Sequence, residues 1–217
     1  MVLKIHGVPK FAYTQIVLVV LKETNAPYEL ITVDWINKEH KTPAYLEKHP
    51  FGQYPYMDDD GFILHETSAI VKYIATKYRA SGTALAPDPS NLKATVLFDQ
   101  AWSVQASDFS PYAGGIVMER LGKPFHGSQP DEQAVQQHIT NLENKLNGYE
   151  AILGKQSYLA GDNLTAADLA HLPLGTLIGE LDVKSLEDPT RRPNVARWWN
   201  DISNRPAWKE VLSISDA

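Results

Sequence analysis

Residues 51–68 read FGQYPYMDDDGFILHETS, and this stretch carries three structural signals. Asp60-Gly61, between extended-type runs at Tyr54–Met57 and Phe62–His65, predicts a tight β-hairpin. Pro55 sits near the start of the first run, where its missing N–H costs the ladder least. Thr67-Ser68 then opens a helix with Ile70, Ile74 and Tyr78 on one face. Upstream, Val2–His6 and Tyr28–Val33 read as strands flanking an apolar stretch, 14–25. Its centre, Ile16–Leu21, has strand-like β-branching, but the total length and the Asn25-Ala26-Pro27 stop favour a buried helix. Strand, helix and strand in this order make a βαβ unit with parallel strands. A polar stretch at 37–41 and a short helix near 42–48 lead into the hairpin. The predicted order is therefore βαβ, then ββα, an α/β half over residues 1–81.

Residues 82–90 carry small residues and prolines and read as a linker. Residues 91–217 read as all-helical. Val135, Ile139, Leu142, Leu146, Tyr149 and Leu153 recur at alternating steps of four and three, one buried helix face. Asp131-Glu132 suits the positive start of that helix and Gly154 its end. Segment 92–121 reads as a second long helix, bent at Pro111 and loosened by Gly114-Gly115. Thr165 and Asp168 have capping-box spacing. Two further helical pieces fall near 195–204 and 207–212.

Composition excludes several function classes. Twenty basic against 26 acidic side chains give a net charge of −6, and the basic ones are scattered, so no nucleic-acid partner is expected. With no cysteine there is no disulfide, no thiolate metal site and no cysteine nucleophile. The longest aliphatic run, Ile16–Leu21, is far short of the roughly 20 residues a membrane helix needs. A cytoplasmic protein that neither spans nor binds a membrane is expected. No GxGxxG, GxxxxGK[ST] or HExxH motif occurs, and the seven histidines are dispersed, so neither a nucleotide turn nor a metal is expected.

One cluster points to a ligand. If the Tyr54–Pro55 peptide is cis, Tyr54 presents its N–H and C=O to an extended partner. Glu66 and Thr67 add a carboxylate and a hydroxyl beside the amides of a helix start. Amides and dipole there suit a carboxylate, and Glu66 suits an ammonium. The complement is an α-amino-acid head on a short extended peptide. Taken alone, Glu66-Thr67 reads first as a plain helix cap, and His40-Lys41 equally as a solvated loop.

Several ordered motifs, taken together, resemble the glutathione transferases, most closely the phi class of plants and fungi. They are Lys4-Ile5-His6-Gly7, Glu39-His40-Lys41-Thr42-Pro43, Pro50-Phe51-Gly52-Gln53-Tyr54-Pro55, Glu66-Thr67-Ser68-Ala69-Ile70, Tyr158-Leu159-Ala160-Gly161-Asp162 and Leu164-Thr165-Ala166-Ala167-Asp168-Leu169. The resemblance implies a thioredoxin-like domain over 1–81, the linker 82–90, a helical bundle over 91–217 and a cytoplasmic homodimer. It implies glutathione as co-substrate, with no metal. It implies His40 and Lys41 near the glycine carboxylate, and Gln53 with the Tyr54 main chain and cis Pro55 along the cysteinyl residue. Glu66 and Thr67 then hold the γ-glutamyl end, and Thr165 and Asp168 serve folding. A pocket between the domains for small hydrophobic or aromatic molecules is implied at Phe11, Ala12, Trp35, Phe109, Tyr112, Ile116 and Glu119.

The sequence departs from the family at the thiol. Where phi enzymes carry the serine that hydrogen-bonds the glutathione sulfur, this chain has Phe11, which has no donor. A hydrogen bond to a charged group is worth about 1.5–3 kcal/mol, or one to two pKa units on a thiol near 8.5. Tyr13 and Thr14 are the candidate replacements, and His6 is read as packing. The readings are then a transferase of modest activity, with conjugation or hydroperoxide reduction in detoxification, or a ligandin that binds glutathione and aromatic molecules. A third reading is a scaffold with no ligand.

Overall fold

The computed structural model describes residues 2–215. The chain divides into two compact units, one running to Pro89 and resuming at Pro206, the other Ser90–Arg205.

The first unit begins with β1 (Leu3–Gly7), α1 (Ala12–Glu23) and β2 (Tyr28–Thr32). A 3-10 turn at Glu39–Lys41 and α2 (Pro43–Leu46) follow, then β3 (Tyr56–Asp59), β4 (Phe62–His65) and α3 (Thr67–Lys77). The sheet order is β2-β1-β3-β4, with β1 parallel to β2 and antiparallel to β3. The βαβ-ββα expectation holds, with β3 starting two residues later than the sequence suggested. In the hairpin, Asp60 and Gly61 both take positive φ, as a two-residue turn of this hand requires. The Asp58 carboxylate accepts from Gly61 N–H at 2.7 Å.

Ile16–Leu21 is helical and wholly buried. A helix apolar all round needs cover on every side. Here α3 and a C-terminal helix, α11 (Pro206–Ser215), both pack on α1. Lys22 ties α1 to α11 through Glu210 at 3.0 Å, and Trp208 and Val211 are buried. The C-terminal helix groups with the α/β unit, where the sequence suggested the helical one, and the expected linker 82–90 docks on the end of α1. Thr83 donates its N–H to Glu23 O and its hydroxyl to the Glu23 carboxylate, both at 2.8 Å, and Leu85 is buried. At Gly82 a Cβ would lie 2.5 Å from Glu23 O, so only glycine allows this docking.

In the second unit, α4 (Leu92–Val104) continues through a π-turn at Gln105–Phe109 into α5 (Ser110–Val117). A second π-turn, Met118–Gly122, leads to α6 (Lys123–Phe125). The bend expected at Pro111 is realised as the first π-turn, because a proline cannot donate into the preceding turn. After them come α7 (Glu132–Leu153), α8 (Ala166–Leu169), α9 (Leu172–Glu180) and α10 (Pro193–Ser203). The periodic face of α7 is buried at Val135, Leu142, Leu146, Tyr149 and Leu153.

Asp168 anchors this unit. Its buried carboxylate accepts from Leu159 N–H (2.9 Å), Thr165 N–H (2.9 Å), the Thr165 hydroxyl (2.8 Å) and Trp198 Nε1–H (3.0 Å). Thr165 and Asp168 form the capping box that their spacing predicts, and the Thr165 hydroxyl also meets the carboxylate. Next to it, buried His171 accepts the Tyr149 hydroxyl at Nε2 (3.0 Å), with Nδ1 facing the Ala167 and Asp168 carbonyls. Two facing acceptors put the proton on Nδ1, and burial keeps the ring neutral. Burial lowers its pKa to about 4.

Two outcomes follow from these groups. Asp168→Ala strands four buried donors and should lower unfolding free energy by about 3 kcal/mol or more in urea titrations. For His171 the unfolded chain takes a proton near 6.5 and the folded one near 4. Its contribution is therefore whole above pH 6.5 and lost as pH falls toward 4, about 3 kcal/mol in all. Asp168, held above the usual carboxylate range by burial, acts with the opposite sign. The comparison that isolates His171 is the pH slope of stability in wild type against His171→Gln, which should be shallower.

Candidate functional site

Four pieces of the first unit build the site: the start of α1, the 3-10 turn, the strap 51–55 and the start of α3. Lys41 Nζ donates to Gly52 O at 2.7 Å and the Tyr45 hydroxyl donates to Gln53 O at 2.7 Å, so the strap is pinned from one side. Gly52 has φ +57, and a Cβ there would lie 2.6 Å from the His40 carbonyl, so this approach requires glycine. Beyond the pins, the Tyr54–Pro55 peptide is cis. Among the described residues nothing pairs with the N–H or C=O of Tyr54. The Gln53 side chain is exposed.

Glu66 is the N-cap of α3 with φ 70 and ψ 115, outside the regions an ordinary side chain prefers. Its carboxylate makes no capping hydrogen bond, although its carbonyl accepts Ile70 N–H at 3.0 Å. A plain helix cap is therefore not what Glu66 is. Thr67, half-buried, is the first helical residue, and the first amides of α3 are the unpaired ones of any helix start. A residue in sparsely populated backbone space with an uncommitted charge points to a ligand.

At the start of α1, Phe11 is the N-cap and caps nothing with its side chain. Its half-buried ring meets Trp35 edge-on at 5.1 Å and stacks on Tyr54 at 5.6 Å. Tyr54 in turn meets His40 edge-on at 5.3 Å. Phe11 O accepts from Thr14 and Gln15, while the N–H groups of Ala12 and Tyr13 find no partner among the described residues. Of the two expected replacement donors, Thr14 is fully buried with its hydroxyl accepting Val8 N–H at 3.2 Å. Its side chain faces the end of β1, which removes it as a group open to a ligand. Tyr13 is 53% exposed. His6 stacks on Tyr56 at 4.2 Å and is a packing residue.

The structure thus brings together Phe11, Trp35, Tyr54 and His40, and sets Lys41, Gln53, Pro55, Glu66 and Thr67 around the strap. Burial, then Lys41, lowers the pKa of His40, whose Nδ1 is buried without a partner. Lys41 is spent partly on the Gly52 carbonyl rather than being free for a carboxylate.

The helical part of the expected pocket is corrected at three residues. Phe109 and Ile116 are fully buried, and the Phe109 ring lies 4.7 Å from that of His171, so both are core of the second unit. Glu119 accepts from Lys123 Nζ (2.6 Å) and Asp131 N–H (2.8 Å) and secures the start of α7. Tyr112 and Ala12 are half-buried. Among the described residues no group of three His, Cys, Asp or Glu is placed to hold a metal, and no helix is long and apolar enough to cross a membrane.

Sequence reasoning missed the Tyr45 hydroxyl and a stacked pair, His49 and His65, 4.8 Å apart beneath the strap. Sixteen residues separate those histidines in the chain, and only the hairpin brings them together.

Comparison with known proteins places the fold in a family. Residues 1–76 match the glutathione S-transferase N-terminal domain, and residues 109–206 the C-terminal domain of the same family. Glutathione S-transferase PM239X14 of Arabidopsis thaliana is 39% identical over 90% of this chain and 89% of its own. The crystal structure of glutathione transferase F7 from Populus trichocarpa is 36% identical and superposes with a TM-score of 0.91 over 99% of both chains. Glutathione S-transferase I from maize, solved in complex with an atrazine glutathione conjugate, is 29% identical with a TM-score of 0.91 over 100% of this chain and 99% of that one. With both halves matched and its relatives aligned nearly end to end, this chain belongs to the glutathione S-transferase family, in its phi class.

Proposed function

We propose that the chain binds glutathione stretched along the strap and joins its sulfur to small hydrophobic electrophiles. The observation that carries this reading is Glu66, a strained helix cap whose carboxylate caps nothing, beside the unpaired Tyr54 main chain. The γ-glutamyl ammonium pairs with Glu66 and its carboxylate with the amides and hydroxyl of Thr67. The cysteinyl N–H and C=O bond to Tyr54 as an added strand would, with Gln53 alongside. The glycine carboxylate lies toward His40 and Lys41.

The sulfur then faces the start of α1. With Phe11 supplying no donor and Thr14 turned to Val8, the unpaired amides of Ala12 and Tyr13 and the helix dipole hold the thiolate, with the Tyr13 hydroxyl as the remaining side-chain candidate. The thiol gives its proton to solvent, the thiolate attacks the electrophilic carbon, and the leaving group departs with its bonding pair. Amides alone stabilise the anion less than amides and a hydroxyl together, so turnover is modest. Phe11 and Trp35 offer flat apolar molecules an aromatic wall, which favours a second reading as a ligandin that binds more than it converts. Family membership supports a cytoplasmic homodimer.

Glu66→Ala removes a charge-assisted pair and should weaken glutathione binding by about tenfold or more in calorimetry. Unchanged affinity places the site elsewhere. Phe11→Ser restores a hydroxyl at the thiol and should raise the rate of aryl-halide conjugation near neutral pH by about tenfold. If wild type does not exceed buffer while Phe11→Ser gains activity, the ligandin reading stands in place of the transferase.

A further inference from the structure

Lys10 lies in the turn between β1 and α1, where Phe11 N–H donates to Val8 O at 3.0 Å and Pro9 supplies the fixed φ such a corner favours. The side chain is exposed, yet its ammonium is held: Nζ stands 5.7 Å from the centre of the Trp35 indole. A cation at that distance is drawn to the face of the ring. The Trp35 ring meets Phe11 edge-on at 5.1 Å, and Phe11 stacks on Tyr54 at 5.6 Å. Phe11 is the N-cap of α1. One row of contacts therefore runs from the helix start, over the aromatic wall, to a cation at its outer edge.

The carboxylates on the loop that carries Trp35 are engaged with that loop. Glu39 accepts Asp34 N–H at 2.6 Å, and Asp34 accepts the main-chain and side-chain nitrogens of Asn37 at 3.0 and 2.6 Å. Among the described residues no carboxylate pairs with Lys10. Its charge is thus pre-ordered by an indole and left without a counter-ion beside an apolar wall.

We infer that Lys10 is a specificity-determining residue, and that the second ligand of this site is a flat aromatic molecule carrying an anionic group such as a carboxylate. The inference rests on the glutathione reading above. An aromatic wall alone ranks ligands by apolar area, and it disfavours a charged substituent that must give up water against it. A cation at the edge of the wall reverses that order by meeting the anion as it leaves water. Trp35 already restrains the ammonium, so less side-chain freedom is lost when the pair forms. Between two ligands of equal ring area, Phe11 and Trp35 alone favour the neutral one, and the same rings with Lys10 favour the anionic one. The pair stays in contact with solvent, so the preference is a few-fold one.

The test is calorimetric titration with two inert conjugates, S-benzylglutathione and S-(4-carboxybenzyl)glutathione, which seat the same ring on the same tripeptide and differ by one carboxylate. Wild type should bind the carboxylated conjugate about threefold or more tightly. Lys10→Gln removes the charge and should bring the ratio of the two affinities to one or below. Lys10→Arg keeps the charge and stacks on an indole, so the preference should survive. Each ratio is taken within one variant, so a general loss of stability or of glutathione affinity cancels from it. Equal or weaker binding of the carboxylated conjugate by wild type overturns the inference while leaving the glutathione site standing. A preference that persists in Lys10→Gln, or is lost in Lys10→Arg, does the same. If neither conjugate saturates wild type, the glutathione reading itself falls, and the inference with it.

Discussion

The hydrogen bond from the buried Tyr45 hydroxyl to the Gln53 carbonyl, 2.7 Å long, fixes the strap on which the site depends. It works with Lys41 on the Gly52 carbonyl and with the close approach of Gly52 to the His40 carbonyl. Those contacts use up the inward-facing carbonyls of Gly52 and Gln53, leaving the next residue, Tyr54, with its main chain unpaired. A protein ordinarily pairs such groups, so the unpaired main chain on this well-pinned segment is what we propose as the backbone half of the binding site. Glu66 supplies the charged half, and the hairpin between β3 and β4 sets the distance between them.

Phe11 changes the character of this site without changing its frame. The ring is held between Trp35 and Tyr54 and over the buried Val8, Val33, Tyr45 and Tyr56, so it is an integral part of the packing. The side chain at position 11 supports Tyr54 and offers no donor. A side chain that stabilises the strap and withholds a donor trades anion stabilisation for rigidity. On the proposed reading, recognition of an extended tripeptide falls to Tyr54 and Glu66 and the chemistry to helix amides.

Much of the first unit is legible in the sequence because its signals are local. Asp60-Gly61 dictates the hairpin through the positive φ both residues adopt, and in the second unit the steps of α7 mark its buried face in the same local way. What the sequence hid is non-local. The amphipathic pattern of 207–212 shows a helix but not which surface it covers, and only the all-round apolarity of α1 hints that a cover must come back to it. Pro111 signals a bend, not the π-turn that absorbs it. Phe109 and Ile116 belong to an apolar stripe that looks the same whether it faces a ligand or, as here for Phe109, the core around His171. The direction of the Thr14 hydroxyl depends on Val8 reaching it across a turn, and the His49–His65 stack depends on hairpin register.

The central claim is that glutathione lies extended with its amino-acid head on Glu66 and its main chain on Tyr54. A crystal structure of the protein with glutathione bound tests it most directly. The account predicts the γ-glutamyl ammonium within about 3 Å of the Glu66 carboxylate and the cysteinyl N–H and C=O paired with Tyr54. It also predicts backbone N–H groups at the start of α1, with no serine or threonine hydroxyl, as the donors nearest the sulfur. Glutathione seated away from Glu66, or its sulfur on the Thr14 hydroxyl, would contradict it.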